Sequence, residues 1–245
     1  MAAQQRQIVV MDDDKFAQAA AQRLVSRIKL NADRIAVCLT GGSSPEGLYR
    51  LLAQEPWRGK VPWDRVHWFI GDDRFVPLTD ARSNMGIAQR LFLDRSPAPR
   101  GNVHPIPTDT NYLEGAANLY AEELQKFYGA EQLDPARPLF DLVLMGLGPD
   151  GHVASLYPGQ RTLEEKERWV VGVGKAGWEP FVPRMTMTFP TLASTREMLF
   201  MVDGAGKQDI LRRVFAGEDL PGSRVHSNGE LVWLLDRAAA PEAVS

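Results

Sequence analysis

The chain has 245 residues, 44% hydrophobic and 24% charged, with a formal net charge of −3. That length and composition suit one large globular α/β domain, taken as 1–245, and the weak acidity offers no field for a polyanion, so neither nucleic acid nor an anionic membrane is an expected partner. The single cysteine, Cys38, excludes an internal disulfide and a cysteine-based zinc site, and its place in the apolar run IAVCLT reads as a small core residue.

The N-terminal stretch MAAQQRQIVVMDDDK lacks an apolar core after a basic start, and no 18-residue apolar run occurs, which predicts a soluble, cytoplasmic protein. A strand is expected at 7–11, followed by a helix whose Phe16, Ala20, Leu24 and Ile28 share one face. Further strands are expected at 34–39, 66–71, 140–146, 169–173, 197–202 and 230–235, and a second helix carries Leu113, Ala116, Ala117, Tyr120, Leu124 and Phe127 on one face. Several of the runs lack polar alternation, as strands covered on both faces do. Strands alternating with helices predict a Rossmann-like layered α/β domain with a mostly parallel sheet flanked by helices. In such sheets ligands sit beyond the carboxyl ends of the strands, so the loops there are where chemistry is expected.

The loop after 34–39 reads LTGGSSPEGLYRLL, with Pro45 suited to the first position of a helix. Gly41, Gly42 and Ser43 fit an anion cradle of backbone N–H groups and hydroxyls; a plain strand-to-helix turn capped by Ser44 is the other reading. After 66–71 comes DDRFVPLTDARSN. Arg74 can fork onto phosphate, and Asp72 or Asp73 can fix that fork or meet sugar hydroxyls, although a surface ion pair has the same composition. Ser83 reads as the cap of the helix that follows.

The loop after 140–146, GLGPDGHVASLYPG, satisfies G-x-G-x-x-G after an apolar strand. A dinucleotide fingerprint also needs a long helix launched by its last glycine and an acidic residue about 20 positions on. Here Pro158 and Gly159 end any helix after about two turns, and the next strand closes on Gly174 and Lys175. What remains is Asp150 two residues before His152, a carboxylate placed to orient an imidazole, or else a surface histidine beside a Pro-Asp-Gly turn. After 197–202, Lys207 falls in the first turn of a helix starting near Ala205, where a cation suggests an anion to meet it, though a solvated lysine fits as well. Arg184 opens a strand in RMTMTFP and is a possible further anion contact. His67, His104 and His226 show no metal-ligand spacing and read as structural.

The blocks LTGGSSPEGLYRLL, FIGDDRFVPLTDARSN, LMGLGPDGHVASLYPG and RMTMTFPTLASTREMLFMVDGAGK resemble, in order and over about 8 to 236, those of the 6-phosphogluconolactonases. That family shares its α/β fold with the glucosamine-6-phosphate deaminases (a NagB/RpiA-like fold). The resemblance implies hydrolysis of 6-phosphogluconolactone to 6-phosphogluconate, the second step of the oxidative pentose phosphate pathway, by a carboxylic ester hydrolase with no cofactor and no essential metal. It implies His152 as the base that activates water, Asp150 as its carboxylate, and Gly41, Gly42, Ser43, Arg74 and Lys207 as phosphate-binding elements. Arg184 matches a basic position of the R-x-T-x-T block. The expected partner is the small sugar-phosphate lactone, and the expected state a monomer or weak homo-oligomer. One departure is DDR, where the family commonly has Asp-Glu-Arg, so Asp73 is one methylene short. A glucosamine-6-phosphate deaminase, a silent sugar-phosphate sensor and a nicotinamide dehydrogenase are the competing functions.

Overall fold

The computed structural model describes residues 4–110 and 112–242, so the ends of the single domain expected over 1–245 lie outside the described residues. Strand β2 (Ile35–Leu39) is buried along its whole length, as are β5 (Leu142–Met145) and β8 (Glu197–Val202), which is why these runs show no polar alternation. They form the middle of a six-stranded parallel sheet with β1 (Arg6–Met11), β3 (Val66–Ile70) and β9 (Glu230–Asp236), in the order β1-β9-β8-β5-β2-β3. Helix α1 (Asp13–Ile28) buries Phe16, Ala20, Leu24 and Ile28, the face expected from their spacing. Helix α4 (Leu113–Tyr128) buries Ala116, Ala117, Tyr120 and Leu124, with Leu113 and Phe127 partly covered at its ends. The expected layered α/β fold is therefore present.

The chain leaves β2 toward β3 on one side, and β5 returns on the other side of β2. The loops after β2 and β5 consequently diverge at a topological switch point, where an open α/β sheet leaves a crevice. They approach so closely that a Cβ added to Gly146 would lie 3.9 Å from the Gly41 carbonyl oxygen.

A second sheet was not foreseen. Asp72–Arg74 is not a loop but a short strand, β4, which pairs antiparallel with β7 (Arg184–Met187), and β7 pairs with β6 (Val170–Val173). The apolar run at 169–173 thus joins this three-stranded antiparallel sheet and not the parallel one. Apolar content marks a strand, whereas its partners are chosen by contacts distant in sequence. No helix follows Gly151: Gly151 N–H donates to the Gly148 carbonyl at 3.0 Å with Gly151 at φ +85°, and Val153 and Leu156 form a bridge.

Helix α3 (Asn84–Leu91) is doubly capped. Ser83 Oγ accepts from Gly86 N–H at 3.0 Å, as its position suggested. The buried Asp73 carboxylate accepts from the N–H groups of Asn84 (2.6 Å) and Met85 (3.0 Å) and from Ser83 Oγ (2.9 Å). Asp73 therefore belongs to the helix start and not to a ligand. Burial pushes its pKa up to about 6, against those hydrogen bonds. Cys38 is buried within β2, and burial drives its thiol well above the ordinary range, consistent with a core residue.

Candidate active site

A cavity of about 220 Å³ opens at the switch point, lined by Gly41, Gly42, Ser43, Asp72, Arg74, Gly148, His152, Arg184 and Lys207 among others. The site residues expected from the sequence are in this wall except Asp150, which stands immediately behind His152, and Asp73, which is held at the start of α3.

The loop after β2 is tied at its root by Tyr49, whose hydroxyl accepts from Thr40 N–H (3.1 Å) and donates to the Thr40 carbonyl (2.7 Å). Beyond it, Gly42 holds φ +91°, open to glycine at little cost. Among the described residues, none accepts a hydrogen bond from the N–H groups of Gly41, Gly42, Ser43 or Ser44. These donors face the need for an outside acceptor. Helix α2 (Glu46–Leu52) starts one residue after Pro45, and Ser44 does not cap it: its hydroxyl donates to Asp203 at the end of β8. The strand-to-helix turn is therefore bound sideways into the cavity wall, which favours the cradle over a simple cap.

The two arginines meet through the unforeseen sheet. Arg74 of β4 and Arg184 of β7 are direct cross-strand partners, so their side chains leave the same face. Arg74 Nη1 donates to the Arg82 carbonyl at 2.8 Å and to Asn84 Oδ1, while Arg184 Nη2 donates to three carbonyls of the loop before β7. The Nε of each guanidinium is buried without a partner among the described residues. Arg184 is only 4% exposed; burial lowers its pKa, with Asp72 acting in the opposite direction and Arg74 adding repulsion. Two like charges held face to face cost energy until an anion lies between or beside them.

The buried Asp72 accepts from Ser155 Oγ at 2.6 Å and lines the cavity next to both arginines. Lys207 sits in a turn (Ala205–Lys207) directly before helix α5 (Gln208–Phe215), and its Nζ donates to the Leu147 carbonyl at 2.5 Å. Burial lowers its pKa, with Asp203 and Asp150 opposing.

His152 and Asp150 form a directed pair. The Asp150 carboxylate takes the His152 backbone N–H at 3.1 Å and stands 2.5 Å from ring Nδ1. Burial is the largest single influence and works against the Asp150 charge, but the side-chain and backbone hydrogen bonds from His152 and the charge of its ring together outweigh it and hold the carboxyl below the usual range. A carboxylate at Nδ1 keeps the proton there and leaves the Nε2 lone pair free. The ring lies against Tyr157 with centroids 4.7 Å apart, and over the backbone of Gly148, whose N–H donates to the His152 carbonyl at 2.8 Å. A Cβ on Gly148 would fall 2.7 Å from His152 Cγ and nearer still to Nδ1. The second glycine of the pattern is thus a seat for the imidazole.

Sequence reasoning passed over three wall residues. Asn84, the first residue of α3, bridges Arg74 and the Asp72 carbonyl and fills the space that a side chain at Gly41 would need. Asp203 and Trp178 carry no local motif; the signal for Asp203 was its position at the end of a strand, beside Lys207. His67 and His104, expected to be structural, bond to each other (2.9 Å), and His104 to Glu123 (2.5 Å), while His226 is exposed. Among the described residues no group of three or more His, Cys, Asp or Glu side chains is arranged to hold a metal, and no helix is long and apolar enough to cross a membrane.

Known proteins place this site in context. The chain is 38% identical over 207 residues to a 6-phosphogluconolactonase of Synechocystis sp., covering 83% of this chain and 82% of that one. It is 37% identical over 245 residues to the 6-phosphogluconolactonase of Mycobacterium leprae, covering 95% and 96%. The crystal structure of a 6-phosphogluconolactonase from Thermotoga maritima superimposes with a TM-score of 0.83 at 29% identity, over 95% of this chain and 100% of the other. Residues 11–233, which include both catalytic candidates, the arginine pair and Lys207, match the model of one family. By sequence and fold, the chain belongs to the glucosamine-6-phosphate isomerase/6-phosphogluconolactonase family.

Proposed function

We propose that this protein hydrolyses 6-phosphogluconolactone to 6-phosphogluconate with His152 as the general base. The observation that carries the proposal is the oriented Asp150–His152 pair in one cavity with Arg74, Arg184 and Lys207. A phosphorylated lactone needs a cationic seat for its phosphate and one base near its carbonyl. The Gly41–Ser43 loop, Arg74 and Lys207 provide the seat, with Arg184 beside Arg74. Asp72 and Asp203 provide acceptors for sugar hydroxyls.

The lactone is an activated ester, so water suffices as nucleophile. His152 Nε2 takes a proton as water oxygen bonds to C1, giving a tetrahedral oxyanion. Collapse of that oxyanion breaks the bond from C1 to the ring oxygen, and the imidazolium returns its proton to the departing oxygen. The products are a free hydroxyl and a carboxylic acid, which releases its proton to solvent to give the carboxylate. Asp150 fixes the tautomer and balances the imidazolium, as a carboxylate does in hydrolytic triads. Binding of the remote phosphate serves to orient C1 against His152.

A lactone-opening assay at controlled pH, corrected for the spontaneous reaction, tests this directly. His152→Ala should lower kcat by roughly 10²-fold or more with the fold intact; near-normal turnover would remove His152 from the role. Ammonia release from glucosamine 6-phosphate would instead identify a deaminase, and binding of 6-phosphogluconate without lactone opening a sensor.

A further inference from the structure

Trp178 has no part in the chemistry above. It lies in the loop between β6 and β7, lines the cavity beside Glu179, and stays 46% exposed. Among the described residues it is the one in the cavity wall with an indole or benzene ring; its neighbours there are glycines, small or polar residues, charged groups, the imidazole of His152 and the aliphatic Leu147 and Pro149. The other tryptophans face inward: Trp63, Trp68, Trp169 and Trp233 are buried, and Trp57 is partly covered with Lys60 over its ring.

The loop is anchored to the site at two points. Arg184 Nη2 donates to the carbonyls of Trp178, Glu179 and Pro180, each at 3.1 Å. Gly177 lies flat on Tyr157, where a Cβ would come within 2.8 Å of the ring, and Tyr157 in turn abuts His152. Trp178 is thus carried by the arginine of the anion cradle and by the tyrosine beside the base. An indole face is electron-rich and cannot serve a phosphate, but it offers a flat apolar surface to C–H groups. Within a sugar-phosphate lactone, only the carbohydrate part presents such groups.

We propose that Trp178 is a specificity-determining residue that covers the carbohydrate part of the substrate, an inference that rests on the function proposed above. Acrylamide quenching of tryptophan fluorescence reads Trp178 selectively, because it is the most exposed indole, and Trp178→Phe identifies its share. The probes are 6-phosphogluconate, the stable product, and inorganic phosphate, with binding followed by calorimetry in parallel. Saturation with 6-phosphogluconate should abolish the Trp178 component of quenching, and phosphate should leave it intact. In kinetics, Trp178→Ala should raise KM roughly 3- to 10-fold for phosphorylated and unphosphorylated gluconolactone alike, kcat staying nearly constant, and Trp178→Phe should restore most of the loss. Heat released by 6-phosphogluconate with quenching unchanged would overturn the proposal, as would equal shielding by phosphate or a KM rise confined to the phosphorylated substrate. No binding of 6-phosphogluconate at all would instead strike the function itself and take this inference with it.

Discussion

Replacing Gly148 by alanine tests the site at a place where no chemical group is removed. Its new Cβ would stand 2.7 Å from His152 Cγ, and ordinary contact begins at 3.4 Å, so the ring must retreat by about 0.7 Å at Cγ and by more at Nδ1. A shift of that size breaks the 2.5 Å contact between Nδ1 and Asp150 and carries Nε2 away from its reacting position. Misplacement by about 1 Å costs on the order of 10²-fold in rate. The neighbouring Gly146 is the control: its Cβ would meet nothing nearer than 3.9 Å, and its φ lies outside the left-handed region. Gly148→Ala should therefore lose about 10²-fold in kcat with KM for the phosphorylated lactone little changed, whereas Gly146→Ala should stay within about threefold. Lactone-opening kinetics on both variants, with circular dichroism and thermal melts to establish folding, decide the matter. Near-normal kcat in Gly148→Ala, or equal losses in the two variants, would refute the view that this glycine seats the base.

Asp150→Asn should reduce kcat by roughly 10²- to 10⁴-fold with little change in KM, since the tautomer and the imidazolium both lose their partner; an effect on KM alone would place Asp150 on the substrate. Arg74→Ala removes charge-assisted hydrogen bonds worth about 1.5–3 kcal/mol, so kcat/KM for the phosphorylated lactone should fall about 10- to 150-fold while unphosphorylated gluconolactone loses little. Equal losses on both substrates would mean that Arg74 chiefly holds Asn84 and the Arg82 carbonyl. Away from the site, burial, with His104 and Arg34 nearby, depresses the pKa of His67 from 6.5 to about 4. The folded state thus favours neutral His67, and the stability this brings is present above pH 6.5 and is lost as pH falls toward 4. Allowing for partial exposure, the loss is about 2 kcal/mol. Denaturant melts across that window should show His67→Gln less acid-sensitive than the wild type, and parallel curves would refute the assignment.

The sequence alone determined the parts whose causes are local. Uninterrupted apolar runs marked β2, β5 and β8, the spacing from Phe16 to Ile28 marked α1, and Ser83 announced the start of α3. Asp150 and His152 were legible as a pair because two residues of a tight turn suffice to bring carboxylate to imidazole. The glycines around them were legible as a pattern, and the sequence already spoke against a dinucleotide turn, but only the folded turn reveals that Gly148 accommodates the imidazole ring. Tertiary structure decided everything that depends on distant partners. Arg74 and Arg184, 110 positions apart, face each other because β4 pairs with β7, a choice that no window around DDR or RMTMT contains. The same pairing network leaves Asp73 to the helix start and Arg74 to the cavity, although the two are adjacent in sequence, since successive residues of a strand leave opposite faces. Ser44 binding Asp203 and Trp178 riding on Arg184 have the same origin. A chain writes its strands and turns in short stretches, but a cavity wall is assembled from whichever strand ends the sheet order brings together.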